Sequence, residues 1–255
     1  MATEAPATAT GRVLTWENCL NARDLGGYPT EDGGCTRWGA VARCANPARL
    51  TPAGCRAVLD YGVKTIIDLR KPDEVDDHPN PLRNVAGVRY VNISMVDPSV
   101  PRGEFTTLAH DYEETLEVFA PEVGRIFQQI AHANEGAILI HCVGGKDRTG
   151  LIAALLLRLA GVPATVVAED YALSDRLLRP MNDEFLAQGP GTREEREAQL
   201  GRTRATAQVI LDVLSAVDRK YGDVRGYLRQ AGAGPDDIET TRDRLRIPPP
   251  TLDRD

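Results

Sequence analysis

The chain has 255 residues, of which 42% are hydrophobic, and its formal net charge is −7. This length suits one large domain or two small ones. The acidic balance argues against a nucleic-acid-binding surface and against a cationic patch for membrane lipids, so neither partner is expected.

The two ends differ in character from the rest of the chain. Residues 1–10 are rich in alanine and threonine and lack the basic and apolar segments of a signal peptide. We expect residues 1–12 to be a disordered lead, residues 13–247 to form a single domain without an internal linker, and residues 248–255 to be a tail. The longest apolar runs are shorter than a membrane span, so no stable membrane insertion is expected.

Cysteines occupy positions 19, 35, 44, 55 and 142 and show no paired spacing. An odd number without such pairs predicts neither a disulfide framework nor a zinc site, and a reducing cytoplasm is the expected location. The first four are typical of small core residues. Cys142 differs from them, because its neighbours are polar and glycine-rich.

Residues 13–43 are predicted to form strands and turns. Arg23 and Asp24 lie beside a glycine pair in the segment NARDLGG, residues 21–27. Two interpretations remain open for these charged residues. They form an internal ion pair that braces the loop, or they lie at the rim of a binding site.

A helix is predicted from Pro52 to about Tyr61, because Thr51 can cap it, proline suits its first position and Gly62 ends it. Two buried strands are predicted further along the chain, at residues 63–69 and 89–93.

This alternation predicts an α/β domain with a central, largely parallel sheet and helices on both faces. Ligands of such sheets bind at the carboxyl ends of the strands. Asp68, Asp97 and Cys142 should all emerge there.

A longer amphipathic helix is predicted at residues 111–133. Beyond position 160, a helix is predicted at 164–178 and two short helices at 222–247. The charged region 193–220 has two interpretations: it covers a site, or it forms solvated surface helices.

The segment 137–161, AILIHCVGGKDRTGLIAALLLRLAG, predicts a buried strand, a glycine-containing loop and an apolar helix. We call residues 142–148 the anion loop. A helix that begins near Arg148 presents unpaired amides and a positive dipole end to the loop. Gly144 and Gly145 let the backbone curl so that its amides point inward as well. This arrangement binds phosphate.

Cys142 would then face the phosphorus atom as a nucleophile. A cation and a helix N-terminus both favour its thiolate form. Arg148 can hold two phosphate oxygens at once, and Thr149 can donate a hydrogen bond to the sulfur. Val143, Gly144, Gly145, Lys146 and Asp147 complete the predicted phosphate-binding set, ending at Arg148 and Thr149.

Two known classes of loop fit the anion loop less well. A nucleotide-binding loop would need glycine at the position of Ile140 and a hydroxyl residue at Asp147. A sulfurtransferase loop also places a cysteine after a strand, but it has no need of Arg148 and Thr149. A cysteine that only fills the core would not require the arginine and the glycines.

Catalysis needs a proton donor for the leaving oxygen. Asp97, in a loop just past a predicted strand, is the first choice, and Asp147 is the second, as acid or as the base that activates water. Asp68 is expected to brace the sheet end, and Asp111 is an outside candidate. Every one of these aspartates could also be an ordinary turn residue.

Lys146 has two interpretations. It attracts a second anionic group of the substrate, as a phosphoinositide would carry, or it is a solvated surface lysine. In the first case the substrates extend beyond phosphotyrosine.

The segment from His141 to Gly150, HCVGGKDRTG, resembles the HCxxGKDRTG signature of the cysteine-dependent protein tyrosine phosphatase superfamily. NARDLGG at 21–27 and YGDVRGYL at 221–228 resemble flanking elements of its bacterial tyrosine and lipid phosphatase branch. The resemblance covers residues 15–247. It implies a tyrosine-phosphatase-like fold and favours contact of Arg23 and Asp24 with the active-site region. The branch includes an exported enzyme, so secretion by a non-standard route stays open.

We therefore predict a phosphomonoester hydrolase that acts through a cysteinyl-phosphate, with Cys142, Arg148, Asp97 and Asp147 as catalytic residues and His141 and Asp68 in support. Neither a metal nor another cofactor is expected, because Arg148 and the helix end supply the positive charge. The substrate partner is a phosphoprotein, a phosphoinositide or a small metabolite. A phospho-ligand binding module without activity is the remaining alternative, and the sequence does not define an oligomeric state.

Overall fold

The structure, a computed structural model, describes residues 11–249. The predicted disordered lead and tail therefore lie largely outside the described residues. Within 11–249 the strands are β1 Arg23–Asp24, β2 Cys35–Thr36, β3 Val41–Cys44, β4 Val63–Asp68, β5 Arg89–Asn92, β6 Ala137–His141 and β7 Arg246–Ile247. The helices are α1 Pro52–Asp60, α2 Pro72–Asp77, α3 Leu108–Val118, α4 Ala120–Ala131, α5 Arg148–Leu159, α6 Ala164–Leu177, α7 Arg179–Gln188, α8 Arg193–Arg202, α9 Ala207–Tyr221, α10 Val224–Gln230 and α11 Pro235–Leu245.

A five-stranded sheet lies at the centre, in the order β1-β3-β6-β4-β5. The strands β3, β6, β4 and β5 run parallel, and only β1 at the edge is antiparallel to its neighbour. A separate two-stranded sheet joins β2 to β7. The predicted α/β domain with a largely parallel sheet is confirmed.

The central strand β6 shows how the sheet separates two hydrophobic cores. Ile138 and Ile140 belong to the larger core, whereas Ala137 and Leu139 belong to the smaller one. This alternation follows from the two-residue period of a strand. Because both faces are covered, the strand reads as a continuous apolar run in the sequence, and all five of its residues are buried.

Local signals explain the helix ends. Thr51 caps α1 by accepting a hydrogen bond from the amide of Gly54 at 3.1 Å, and Gly62 follows with φ of 97°. The helix predicted at 111–133 is instead two helices, α3 and α4, which meet at Phe119. Pro121, in the first turn of α4, has no amide hydrogen to continue the helical hydrogen bonds and explains the break.

The carboxyl ends of four parallel strands meet at one edge of the sheet. Asp68 of β4 is in register with His141 of β6 and with Asn92 of β5, and Cys44 of β3 pairs with His141 from the other side. The loop after β6 therefore opens at this edge, as expected for a ligand site. Between residues 11 and 249 no helix has the length and apolar character needed to span a bilayer.

Candidate active site

The anion loop connects β6 to α5 in one tight turn. Gly145 has φ of 63°, and a Cβ atom at this position would lie 2.2 Å from the carbonyl oxygen of Cys44. Only glycine combines this backbone conformation with such a close approach. The turn therefore presses the loop against the end of β3 and directs its other side into a cavity.

Cys142 lies at the base of that cavity, which we call the main cavity and which has a volume of about 410 Å³. The cysteine itself is 1% exposed. The loop contributes Val143, Gly144, Lys146, Asp147 and Arg148 to the wall, and α6 to the start of α9 contribute Ser174, Asp175, Leu178, Met181, Asn182, Leu200, Gly201, Thr203, Arg204 and Ala205. The predicted nucleophile and the predicted phosphate-binding arginine thus share one cavity that is large enough for a substrate.

Arg148 is oriented by a carboxylate that is absent from the predicted site residues. Glu74 accepts hydrogen bonds from both terminal nitrogens of the guanidinium, at 2.6 and 3.1 Å, and Leu69 O accepts one at 3.3 Å. Burial lowers the pKa of Arg148, but the hydrogen bond to Glu74 and the nearby Cys142 outweigh it, so that the pKa is raised. Arg148 stays charged beside Cys142.

The outer side of the anion loop is held by two side chains. The Asn21 amide donates to the carbonyl oxygens of Gly144 and Gly145 at 3.0 and 3.1 Å, and Arg43 donates to the second of these at 2.6 Å. In a trans peptide the N–H points opposite to the C=O. We infer that the amides of the following residues, Gly145 and Lys146, point toward the main cavity.

Behind these side chains lies a buried ionic cluster centred on Asp170. Its carboxylate accepts hydrogen bonds from Arg23 at 2.7 Å, Arg43 at 2.8 Å and the Tyr28 hydroxyl at 2.9 Å. Burial raises the pKa of Asp170, but the two arginines outweigh it and lower it to about 2. Burial also lowers the pKa of Arg43 to about 10. Helix α6, which carries Asp170, is thereby fixed to the same residues that hold the loop.

Arg23 forms an internal ion pair, as in the first interpretation, but its partner is Asp170 and not Asp24. Neither Arg23 nor Asp24 lines the main cavity. Arg23 donates to the Asn21 side chain at 2.6 Å, whereas Asp24 accepts hydrogen bonds from the amides of Gly26 and Gly39. Arg23 therefore reaches the anion loop through Asn21 and, by way of Asp170, through Arg43. It also donates to the hydroxyl of Ser174, a residue of the main cavity wall, at 3.1 Å.

His141 is fully buried directly before the nucleophile. Its Nε2 lies 3.0 Å from the Asn80 amide nitrogen, and because the Asn80 oxygen already accepts the Leu82 amide, the Asn80 side chain must donate to the ring. Nδ1 then faces the Cys142 carbonyl at 3.4 Å. Burial lowers the pKa of His141 to about 4 despite the neighbouring Asp68. His141 is a neutral support for the backbone of the loop.

Asp68 is enclosed by polar partners at the end of the sheet. It accepts hydrogen bonds from the Arg70 guanidinium at 2.6 to 3.1 Å and from the Tyr90 hydroxyl at 2.6 Å. Burial raises its pKa, but His141, which is protonated in the acidic range where Asp68 titrates, and Arg70 outweigh that effect and lower it. Because these partners surround the carboxylate, it braces the sheet end and is not a residue of the main cavity wall.

The two aspartates considered as general acid lie in different environments. Asp97 is exposed and does not line the main cavity, and its carboxylate accepts hydrogen bonds from the amide and hydroxyl of Ser99 at 2.8 and 2.7 Å. These bonds lower its pKa. Asp147 lines the main cavity and accepts a hydrogen bond from the Tyr112 hydroxyl. Because Asp97 accepts its hydrogen bonds within its own turn, we propose Asp147 ahead of Asp97 as the general acid.

Two further expectations for the loop are also changed. The Thr149 hydroxyl is buried and has no hydrogen-bond partner among residues 11–249, so the predicted bond to the Cys142 sulfur is not formed. Lys146 is not a solvated surface residue: its side chain is 16% exposed and its ammonium group donates to Thr203 O at 2.6 Å. The lysine thus joins the anion loop to the segment between α8 and α9.

The helices beyond α6 form the outer wall of the site. Region 193–220 contains two helices, α8 and α9, and its junction lines the main cavity, so the interpretation as a covering segment fits. Helix α7 was not predicted, because none of its residues is buried and its apolar pattern is weak. Pro180 at its start was the available signal.

Glu74 could have been found from the sequence as well. Lys71-Pro72 follows β4, and a proline at the first helical position with acidic residues in the first turn marks a helix start at the ligand edge of the sheet. By contrast, Asp170 carries no local signal. In the described part of the chain, no group of three or more potential metal-binding side chains is brought together.

A thiol and an arginine that share a loop between a strand and a helix, at the ligand edge of a parallel sheet, define a cysteine-dependent phosphatase. A sequence model of the tyrosine phosphatase family matches residues 14–247, and the chain belongs to this family. It is a cysteine-based, metal-independent phosphatase that acts on phosphorylated substrates.

Individual proteins are similar over most of the chain. A tyrosine-protein phosphatase of Nostoc commune is 36% identical over 217 residues, which cover 81% of this chain and 74% of the relative. The triple specificity protein phosphatase PtpB of Mycobacterium tuberculosis is 24% identical, with 89% of this chain and 95% of PtpB covered. The solved catalytic core of Siw14 is 17% identical, covers 68% of this chain and 92% of its own, and has a TM-score of 0.36.

Proposed function

We propose that the protein hydrolyses phosphomonoesters through a cysteinyl-phosphate at Cys142. The observation that carries the proposal is that Cys142 and Arg148 line the same cavity of about 410 Å³, at the N-terminus of α5. Arg148 and the loop amides bind the equatorial oxygens of the phosphate. Their positive charge also stabilises the thiolate.

In the first step the Cys142 thiolate attacks the phosphorus atom. The S–P bond forms as the ester P–O bond breaks, and the leaving oxygen takes a proton from Asp147. In the second step water attacks phosphorus, Asp147 accepts the proton, and the S–P bond breaks to restore the thiolate and release phosphate. The Tyr112 hydroxyl, which also contacts the Tyr171 hydroxyl at 2.8 Å, orients Asp147 for both steps.

Phosphorylated proteins are the proposed substrate class, with phosphotyrosine as the first choice. The wall that α6 to the start of α9 contribute includes the apolar side chains of Leu178, Met181 and Leu200. Such side chains can pack against the ring of phosphotyrosine. The free cysteines among the described residues favour the proposed cytoplasmic location.

A second candidate substrate carries two phosphate groups, as phosphoinositides do. The observation in its favour is that Lys146 and Arg204 line the same cavity as Arg148. A second phosphate could displace Thr203 O from the lysine. A smaller phosphorylated metabolite uses the same chemistry and would leave most of the apolar side chains of the wall uncovered.

The test of the proposed function is hydrolysis of p-nitrophenyl phosphate by the wild type and by Cys142→Ser. We expect the variant to lose turnover and to keep binding of inorganic phosphate, because Arg148 and the loop remain. Undiminished turnover in Cys142→Ser contradicts the proposal. So does wild-type activity that disappears when EDTA is added.

A further inference from the structure

A second depression, which we call the side cavity, shares a wall with the main cavity. It has a volume of about 220 Å³, and the two cavities have Val143 and Met181 in common. Val143 belongs to the anion loop and is 40% exposed, which is unusual for a large apolar side chain in this protein. The two shared residues form a ridge between the cavities.

The side cavity is lined by apolar residues and by the polar residues Asn18, Asn46, Arg49, His78 and Glu184. Leu20, Ala45 and Ala48 contribute to the wall with the two ridge residues, and the charged groups of the lining include Arg49 and Glu184. These two form an exposed ion pair at 3.4 Å. Because the pair contains one charge of each sign, it favours neither a cation nor an anion.

Backbone hydrogen bonds connect the side cavity to the anion loop. The amide of Asn46 donates to Val143 O at 2.8 Å, and the amide of Ala45 donates to Leu20 O at 2.9 Å. The Asn46 side chain accepts hydrogen bonds from the Ala48 amide at 3.1 Å and from the buried Arg70 at 3.2 Å. The wall is therefore formed before any substrate binds.

The size and position of the side cavity indicate the kind of group that it binds. Sites for separate small ligands have volumes of about 300–1,000 Å³, and the side cavity, at about 220 Å³, is smaller. Consecutive residues of a polypeptide are about 3.8 Å apart. A residue next to a phosphorylated one can therefore reach across the ridge while the phosphate lies over Cys142.

We propose that the side cavity is a specificity subsite that binds an apolar side chain flanking the phosphorylated residue of a polypeptide substrate. This inference rests on the proposed phosphatase function and adds a sequence preference to its proposed phosphoprotein substrates. A small metabolite bound at Cys142 would leave the side cavity empty. A phosphoinositide would present hydroxyl or phosphate groups, which Leu20, Ala45, Ala48 and the two ridge residues cannot hydrogen-bond.

The test compares phosphotyrosine peptides that carry leucine or glycine at one flanking position at a time, from two residues before to two residues after the phosphotyrosine. In the wild type we expect leucine to raise kcat/KM about tenfold over glycine at one position, as partial burial of one apolar side chain allows. In Ala48→Phe, which fills the side cavity, that ratio should fall to about one. Ala48→Ser keeps the cavity open and should keep the ratio.

A leucine-to-glycine ratio near one at all four positions in the wild type overturns the proposal, and this result needs no variant. A tenfold ratio that persists in folded Ala48→Phe also overturns it, as does faster hydrolysis of phosphoinositides in mixed vesicles than of every peptide. The p-nitrophenyl phosphate assay distinguishes a failure of the subsite proposal from a failure of the proposed phosphatase function. If the wild type hydrolyses this compound and the peptide ratios are flat, only the subsite is contradicted.

Discussion

Glu74 holds Arg148 by a two-pronged ion pair, with its carboxylate oxygens 2.6 and 3.1 Å from the guanidinium nitrogens. The same carboxylate accepts the Lys71 amide at 2.8 Å and so is fixed at the start of α2. Burial raises the pKa of Glu74, but Arg148 and Lys71 outweigh it, so that the pKa is lowered and the pair stays charged. The arginine that we propose binds phosphate is therefore aligned before substrate arrives.

Removing the charge at position 74 should weaken substrate binding. In Glu74→Gln we expect kcat/KM for p-nitrophenyl phosphate to fall about tenfold, mostly through a higher KM. A hydrogen bond to a charged group contributes about 1.5–3 kcal/mol, and a tenfold change corresponds to about 1.4 kcal/mol. Steady-state kinetics measure this. Glu197→Gln, which breaks the exposed pair with Arg193, is the matched control and should behave as the wild type. Equal kinetics in Glu74→Gln would show that the arginine needs no alignment.

The two aspartates can be separated by the leaving group. Asp147→Asn should lower kcat about 10²–10⁴-fold for alkyl phosphates, whose leaving oxygen needs a proton, and less for p-nitrophenyl phosphate. Asp97→Asn should differ little from the wild type for either substrate, because Asp97 is exposed and bonded to Ser99. The reverse pattern would restore Asp97 as the general acid.

The Asp170 cluster should govern stability. Asp170→Asn leaves Arg23 and Arg43 buried without their counter-charge, and breaking a buried pair in this way costs about 3–5 kcal/mol. Urea unfolding followed by circular dichroism measures the loss. Asp212→Asn, at an exposed position, is the control. A loss below about 1 kcal/mol would mean that the cluster does not fix α6 to the loop.

The buried imidazole of His141 leads us to expect that the stability of the protein depends on pH. Burial lowers its pKa from 6.5 to about 4, so between these values the unfolded chain binds the proton more tightly than the native protein. The free energy of unfolding should therefore rise by about 3 kcal/mol in total between pH 4 and pH 6.5. The same amount of stability is lost as the pH falls through this range. His141→Gln should flatten the profile in urea titrations over this range. An unchanged slope in the variant contradicts a buried, neutral imidazole.

The central elements were predictable from the sequence because their signals are local. The apolar run 137–140 with the glycine loop after it, the cap at Thr51 and the stop at Gly62 each need only a few neighbouring residues. The parallel pairing of β4 with β6 then places Asp68 beside His141. The family resemblance rested on the same stretch and is confirmed.

The supporting residues were not predictable, because their partners are distant in sequence. Arg23 meets Asp170 across 147 positions, and Arg148 meets Glu74 across 74. A sequence pattern records no such pairing. The sequence favours Asp97 because it follows a strand at the ligand edge of the sheet. In the structure, its carboxylate accepts a hydrogen bond from the amide of Ser99, two residues further along the same turn.

The most direct measurement of the central claim is mass spectrometry of the acid-quenched reaction with p-nitrophenyl phosphate. The mechanism predicts a phosphoryl group on the peptide that contains Cys142. Its amount should increase in Asp147→Asn, because the water that breaks the S–P bond lacks its base. Rapid turnover with no phosphoryl group on Cys142, or with one on another side chain, would contradict the mechanism.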